Sequence, residues 1–256
     1  MPFTTNPSQT LRAAYRRARQ MVRCAIGRDV RFAIQSRVPC ERHGSEYGGW
    51  WICPTGLDGN SVVYSVGIGT DITFDLSLIE THGLTIHAFD PTPGSIAYLR
   101  SVRLPDTFTV HQLGLAAVDG TASFLPPANP EHISHTLMAP GQSDTRAIMV
   151  EVRRLSTLMR DLGHTRIDVL KMDIEGAEYD VLDDLLDQQL PVRQILVEFH
   201  HRFPGVGVER TRRAVARLNA AGYRIFAAAD SGEEYSFILD NSDSRARPTH
   251  PPVPSR

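Results

Sequence analysis

From about residue 59 onward, short apolar runs alternate with stretches of helical spacing: SVVYSVGIG, LSLIETHG, LTIHAFD, SIAYLRSV, FTVHQLGLAA, LSTLMRDLG, IDVLKMD, EYDVLDDLL and QILVEFH. Several runs are apolar without alternation, as in strands buried on both faces of a parallel sheet, so helices are expected on both sides of it. The pattern then changes. A helix from about Val208 to Ala221 closes at Gly222, and YRIFAAA and EYSFILD flank ADSGE, whose Ser231-Gly232 suits a hairpin turn. A terminal antiparallel pair should therefore complete an otherwise parallel α/β sheet. Ahead of this body, residues 8–26 place Leu11, Tyr15, Ala18, Val22 and Ile26 on one side at helical spacing, with arginines on the other. That basic helix is expected to pack its apolar stripe on the domain; binding to an acidic partner, a carrier or a membrane surface is the alternative. The chain thus divides into a basic helical segment (1–31), a cap (32–58), the main domain (59–240) and a Pro-rich tail (241–256) with no periodic apolar face, expected to be disordered.

Composition narrows the class without naming an activity. With 256 residues, 41% hydrophobic, 22% charged and a net charge of −2, the chain reads as an ordinary soluble globular protein of one large domain. The charge is unevenly spread. Residues 1–31 hold seven arginines against Asp29, so that segment is +6 and the remainder −8. An acidic body disfavours nucleic acid as the main partner. Cys24, Cys40 and Cys53 form neither a CxxC nor a zinc pattern, which argues against a disulfide framework and makes a reducing cytoplasm the expected location. No apolar run approaches the roughly 18 residues of a membrane span, and no signal peptide is recognisable. One oddity remains: Lys171 is the single lysine among 27 basic residues.

The chemistry begins at Val66-Gly67-Ile68-Gly69-Thr70-Asp71, a G-x-G turn between strand and helix that lets the backbone approach a ligand closely. Ile72 stands where the dinucleotide fingerprint needs a third glycine, which disfavours a pyrophosphate and with it a dehydrogenase. LTIHAFD ends at Asp90, 21 residues past Gly69, where a carboxylate can accept both ribose hydroxyls; helix capping is the plainer role. A nucleoside without pyrophosphate fits the pair. Further on, IDVLKMD runs into the acidic series Asp173, Glu175, Glu178. Asp173 sits at a strand end, where open α/β sheets place ligands, and Lys171 inside an apolar strand requires a carboxylate partner. In ILVEFHH, Glu198 and His200 share one face at a strand end, an arrangement suited to acid/base work.

VYSVGIGTD, HAFDPTP, LGLAAVDGTASF and above all IDVLKMDIEGAEYDVL followed by ILVEFH resemble the FkbM-type S-adenosylmethionine-dependent methyltransferases, over about residues 47–240. The resemblance implies a Rossmann-like seven-stranded sheet of order 3-2-1-4-5-7-6. It places S-adenosylmethionine against Ser65, Gly67, Ile68, Gly69, Asp71, Asp90 and Asp173, with the adenine near Leu115 and Ala116. Ser65 stands where the family carries an acid, so Asp71 or Asp173 would serve the methionine amino group, and Asp90-Pro91 replaces the usual Glu-Pro.

Methyl transfer then needs alignment and, for a hydroxyl acceptor, proton removal. His200 oriented by Glu198 is the expected base, with Lys171 and Glu175 organising the site. A divalent cation such as Mg2+ on Asp173, Glu198 and His200 is the metal-assisted alternative. The expected acceptor is a hydroxyl on a sugar or secondary metabolite; a carboxylate or amine acceptor, or a non-catalytic nucleoside-binding module, are the competing classes. Trp50, Trp51 and the long connection 126–146, with His132 and His135, are candidates for substrate recognition. A homodimer is the association state considered.

Overall fold

A computed structural model describes residues 19–125, 136–137 and 145–240 of the chain. The first half of the basic helix, most of the 126–146 connection with His132 and His135, and the 241–256 tail lie outside the described residues.

The elements follow the apolar runs. A helix over 19–25 (α1) leads to a hairpin of β1 (Glu41–His43) and β2 (Trp50–Ile52). Then come β3 (Val62–Val66), α2 (Thr73–His82), β4 (Thr85–Phe89), α3 (Pro93–Ser101) and β5 (Phe108–His111). Next are β6 (Gly114–Leu115), β7 (Gly120–Leu125), β8 (Thr136–Leu137) and β9 (Ile148–Arg153). The second half runs through α4 (Leu155–Asp161), β10 (Ile167–Met172), α5 (Glu178–Asp187), β11 (Val192–Glu198), α6 (Val208–Ala220), β12 (Tyr223–Ala228) and β13 (Glu234–Leu239).

The main sheet has seven strands in the order β12-β13-β11-β10-β3-β4-β5, which is 3-2-1-4-5-7-6 counted along this sheet. β11 through β5 are parallel, while β13 is antiparallel to both β11 and β12. Strand alternation divides the core between two faces. Tyr64, Val66, Leu170, Met172, Ile195 and Val197 face α4, α5 and α6, packing on Leu158, Leu182 and Leu218. Val63, Ile86, Ala88, Val169 and Leu196 face α2 and α3, packing on Phe74, Leu78, Ile96 and the β2 residues Trp50 and Ile52. Each such side chain, taken out of water, contributes on the order of 1.5–3 kcal/mol.

The run FTVHQLGLAA holds two elements: β5 ends at His111, and Gly114–Leu115 join a separate four-stranded sheet, β6-β9-β7-β8. Gly114 allows the departure, because a Cβ there would press within 3.3 Å of both Val152 and Pro91. In the described part of the basic segment, the expected apolar stripe is not packed: Val22 of α1 and Ile26 just after it are 61% and 58% exposed, and Gln20 is the buried contact, donating to the Ser231 carbonyl and accepting from Arg31. Among the described residues no helix is long and apolar enough to cross a membrane.

Candidate active site

β3 leads right to β4 while β10 leads left to β11, and at that switch point, beyond the carboxyl ends of the strands, lies a cavity of about 600 Å³. Gly67 (φ 76°) and Gly69 (φ 59°) carry the chain across its floor. At Gly67 the glycine is compulsory, because a Cβ would stand 1.7 Å from the Asp173 carbonyl oxygen.

Asp90 ties this loop down. Its Oδ2 accepts the Ile68 and Gly69 N–H groups at 3.0 and 3.2 Å, and its Oδ1 accepts the Thr92 N–H and hydroxyl at 2.8 and 2.6 Å. The helix cap itself is Thr92, not Asp90. Asp71 is likewise engaged: Oδ2 accepts the Ser45 hydroxyl and Oδ1 the Thr73 N–H and hydroxyl. Burial would raise the Asp71 pKa, but these hydrogen bonds outweigh it and lower it. They also fasten the 44–49 turn of the β1–β2 hairpin over the loop, so that Tyr47, Gly48 and Trp50 form a cavity wall.

Lys171 is buried on the α2 face of β10, donates from Nζ to the Gly67 carbonyl at 2.9 Å and lies 6.0 Å from the centre of the Trp50 ring. Ser65 pairs with it across the sheet and faces the same side, beneath α2. Here Asp75, which the sequence did not single out, stands beside both, a fully buried carboxyl whose pKa burial raises against the pull of Lys171. Ser65 is thus corrected. Its strand position points it under α2 rather than into the cavity, which it does not line. Ala116 is corrected too: Leu115 lines the cavity, but Ala116, one residue on, turns into the second-sheet core with Val150 and Val152.

At the far end, Lys171, Asp173, Glu175, Glu198 and the unanticipated Glu234 line the cavity together. Glu234 faces Glu198 directly across the antiparallel β11–β13 register, a pairing legible only once that register is known. Glu175 holds φ at 55°, in the left-handed region followed by Gly176, a strain that functional loops commonly carry. Burial, then the Asp173 charge, pushes Glu198 up to about 8, and burial raises Asp173 against Lys171 and His200.

His200 does not play the part expected of it. It is buried against Phe203, does not line the cavity, and its Nδ1 meets Glu178 at 3.3 Å rather than Glu198. Nε2 stands 3.6 Å from Asp173 Oδ1 and 3.4 Å from Glu175 Oε2. Burial alone would lower its pKa, but the Glu178 hydrogen bond and the three carboxylates push it up to about 10. With Nδ1 on Glu178 and Nε2 between Asp173 and Glu175, His200 is partnered by those acids rather than by the expected Glu198, and their charges favour its protonated form. The acid that converges with Asp173 and His200 into a potential cation cluster, with ligand atoms within 4.8 Å of one another, is Glu175, not Glu198. Trp50 lines the cavity, whereas Trp51, its neighbour on the alternating strand, is exposed.

The chain is similar to proteins named as methyltransferases. It is 27% identical to the 31-O-demethyl-FK506 methyltransferase FkbM of Streptomyces tacrolimicus, over 74% of this chain and 78% of that protein. It is 31% identical to the probable methyltransferase-like protein 24 of Rattus norvegicus over 61% of this chain, spanning only 37% of that relative's length. A crystal structure of a methyltransferase FkbM from Methylobacillus flagellatus matches 71% of this chain and 44% of that one, with a TM-score of 0.45 at 13% identity. The family profile of the methyltransferase FkbM domain matches residues 3–225, nearly the whole sequence. The chain belongs to the FkbM methyltransferase family.

Proposed function

We propose that this protein transfers a methyl group from S-adenosylmethionine to a hydroxyl of a small molecule, with Glu198 as the proton acceptor. The observation that carries this reading is a single cavity holding both a glycine loop bound by Asp90 and a carboxylate tuned near neutrality. The cofactor fits the residues present. Asp173 lines the cavity with a partly exposed carboxylate, suited to an ammonium group. Phe89, Pro91, Leu115 and Phe124 supply an apolar wall for a flat base. Asp90 Oδ1 offers a ribose hydroxyl the position held by the Thr92 hydroxyl.

When bound, S-adenosylmethionine supplies a methyl group already activated by its sulfonium. The chain's own residues then align the acceptor and handle its proton. Glu198, raised to about 8, would in its ionised form accept the proton of a hydroxyl aligned in the cavity. Lys171 fixes the glycine loop through the Gly67 carbonyl, and imidazolium His200 holds Asp173 and Glu175 in place. A small-molecule acceptor accords with the Streptomyces relative, named for acting on 31-O-demethyl-FK506.

Calorimetry with S-adenosylhomocysteine, followed by mass spectrometry of hydroxylated metabolites incubated with the cofactor, tests the reading. Saturable binding that Asp173→Ala weakens, and a mass gain of one methyl, are expected. Absence of binding would remove the cofactor, and methylation confined to carboxylates or amines would remove the hydroxyl. The convergence of Asp173, Glu175 and His200 also favours a second reading, in which a divalent cation activates the hydroxyl. Two carboxylates and an imidazole suit a transition cation better than magnesium. Activity that survives EDTA eliminates it.

A further inference from the structure

At the opposite end of α2 from the glycine loop, three side chains converge without a role in the reaction above. His43, the last residue of β1, and His82, in the last turn of α2, present Nε2 atoms to the Glu41 carboxylate. Glu41 Oε2 stands 3.4 Å from His43 Nε2 and 3.8 Å from His82 Nε2, and all three ligand atoms lie within 4.8 Å of one another. Neither Nε2 has a hydrogen-bond partner, although the His43 side chain is only 6% exposed and the His82 side chain 11%. The two buried Nε2 atoms thus share one carboxylate oxygen at 3.4 and 3.8 Å, a convergence of ligand atoms that a cation would complete.

We infer that Glu41, His43 and His82 form a transition-metal site, of the chemistry that binds Zn2+, with water as the fourth ligand. At metal–ligand distances of about 2.0–2.1 Å, tetrahedral ligands lie roughly 3.3 Å apart. The His43–Glu41 separation already meets that spacing, and the atoms on the His82 side, within 4.8 Å of the others, need a side-chain adjustment of up to about 1.5 Å. The surrounding contacts are those of a metal-bound histidine. Ser77 Oγ meets His43 Nδ1 at 2.8 Å, fixing the ring and leaving Nε2 for the metal. The carboxyl end of α2 turns its negative dipole toward the site, and half-exposed Glu41 gives a cation a way in from solvent.

The position gives the site a purpose. His43 pairs with Trp50 across the hairpin, and Trp50 is both a wall of the active-site cavity and the ring beside Lys171. A metal joining β1 to the end of α2 would staple that wall to the helix that opens at the glycine loop.

The full-length protein, stripped with EDTA and dialysed, is titrated with ZnCl2 against a chromophoric chelator. One equivalent bound with a dissociation constant on the order of micromolar or tighter is expected, together with a rise of several degrees in Tm. Co2+ in its place should give the intense visible absorption of a tetrahedral site. His82→Ala should weaken binding by at least about 100-fold, while His200→Gln, in the other cluster, leaves it unchanged. Should His82→Ala lose its far-UV circular dichroism, Glu41→Gln at its half-exposed position reads the same site, with a loss of about 10-fold or more. The inference is overturned by absence of saturable binding to the wild type. It is equally overturned by binding that persists in a folded His82→Ala or Glu41→Gln protein, or that is lost instead with His200→Gln or Cys40→Ser.

Discussion

Glu178 Oε1 accepts two hydrogen bonds from one residue, His200: the backbone N–H at 2.9 Å and Nδ1 at 3.3 Å. Through its other oxygen, Glu178 also accepts the Gly176 N–H at 2.8 Å, so this fully buried carboxylate joins the first turn of α5 to the loop after β10 and to the end of β11. Glu178→Gln would leave the imidazolium facing a neutral amide. A loss of about 3 kcal/mol is expected, read from the urea midpoint at neutral pH.

The division of roles between Glu198 and His200 has a kinetic signature. Glu198→Gln keeps the shape of the cavity and removes the proton acceptor, so kcat should fall by roughly 10²–10⁴ while S-adenosylhomocysteine affinity stays within a few-fold. His200→Gln acts indirectly, through Asp173 and Glu175, and should mainly weaken cofactor binding. If His200→Gln abolished turnover and Glu198→Gln spared it, the roles would be reversed.

Two histidines shifted in opposite directions act on stability in different pH windows. His200 is raised from 6.5 to about 10, so its contribution is complete below pH 6.5 and disappears as pH rises through 10. His87, beside His111 and His164, is lowered by burial to about 4, so protonation in the unfolded chain destabilises the fold progressively as pH falls from 6.5 to 4. Urea midpoints should therefore fall as pH rises from 6.5 toward 10, where Glu198 and His200 act in the same direction, whereas below 6.5 the His87 loss is opposed by Glu198, which favours the fold as it protonates. Above about pH 8, where Glu198 has ionised, the remaining alkaline decline belongs to His200 and should flatten in His200→Gln.

Gly67 and Gly69 look equivalent in the sequence and should differ sharply on substitution. A methyl at Gly67 meets the Asp173 carbonyl oxygen at 1.7 Å, whereas at Gly69 nothing lies within 4 Å. Gly69→Ala should cost about 1–2 kcal/mol of backbone strain and yield soluble protein. Gly67→Ala must separate the loop from β10, and loss of soluble protein or of all cofactor binding is expected. Equal behaviour in thermal denaturation would refute the close approach.

Lys171 fills a narrow slot between the Gly67 carbonyl and the Trp50 ring. Arginine keeps the charge but spreads it over a larger planar head. Lys171→Arg should shift the loop and weaken S-adenosylhomocysteine binding by about 10-fold or more; calorimetry on the folded variant decides this.

The order of strands and helices was legible because burial on both faces leaves unbroken apolar runs, as in IDVLKMD, and because hairpin turns declare themselves, as at Ser231-Gly232. The four-stranded second sheet was not, since β6 has two residues and β8 another two, too short for any period to register. Among the site residues, Gly67, Ile68, Gly69, Asp71, Asp90, Leu115, Lys171, Asp173, Glu175 and Glu198 do line one cavity. Ser65 and Ala116 missed it by the direction of one side chain.

By itself the sequence determined the parallel core, the terminal antiparallel pair and the loops that had to meet at the strand ends, because apolar periodicity and glycine placement are local properties. The partners of charged groups were decided only in three dimensions. Glu198 and His200 are two apart along the chain, yet His200 belongs to Glu178, which a helix start brings in from 22 residues away. Glu41 and His43 meet His82 only because a hairpin folds onto the end of α2. Whether an acid is a base, a clamp or a ligand depends on its burial and on the charges around it, and those are properties of packing.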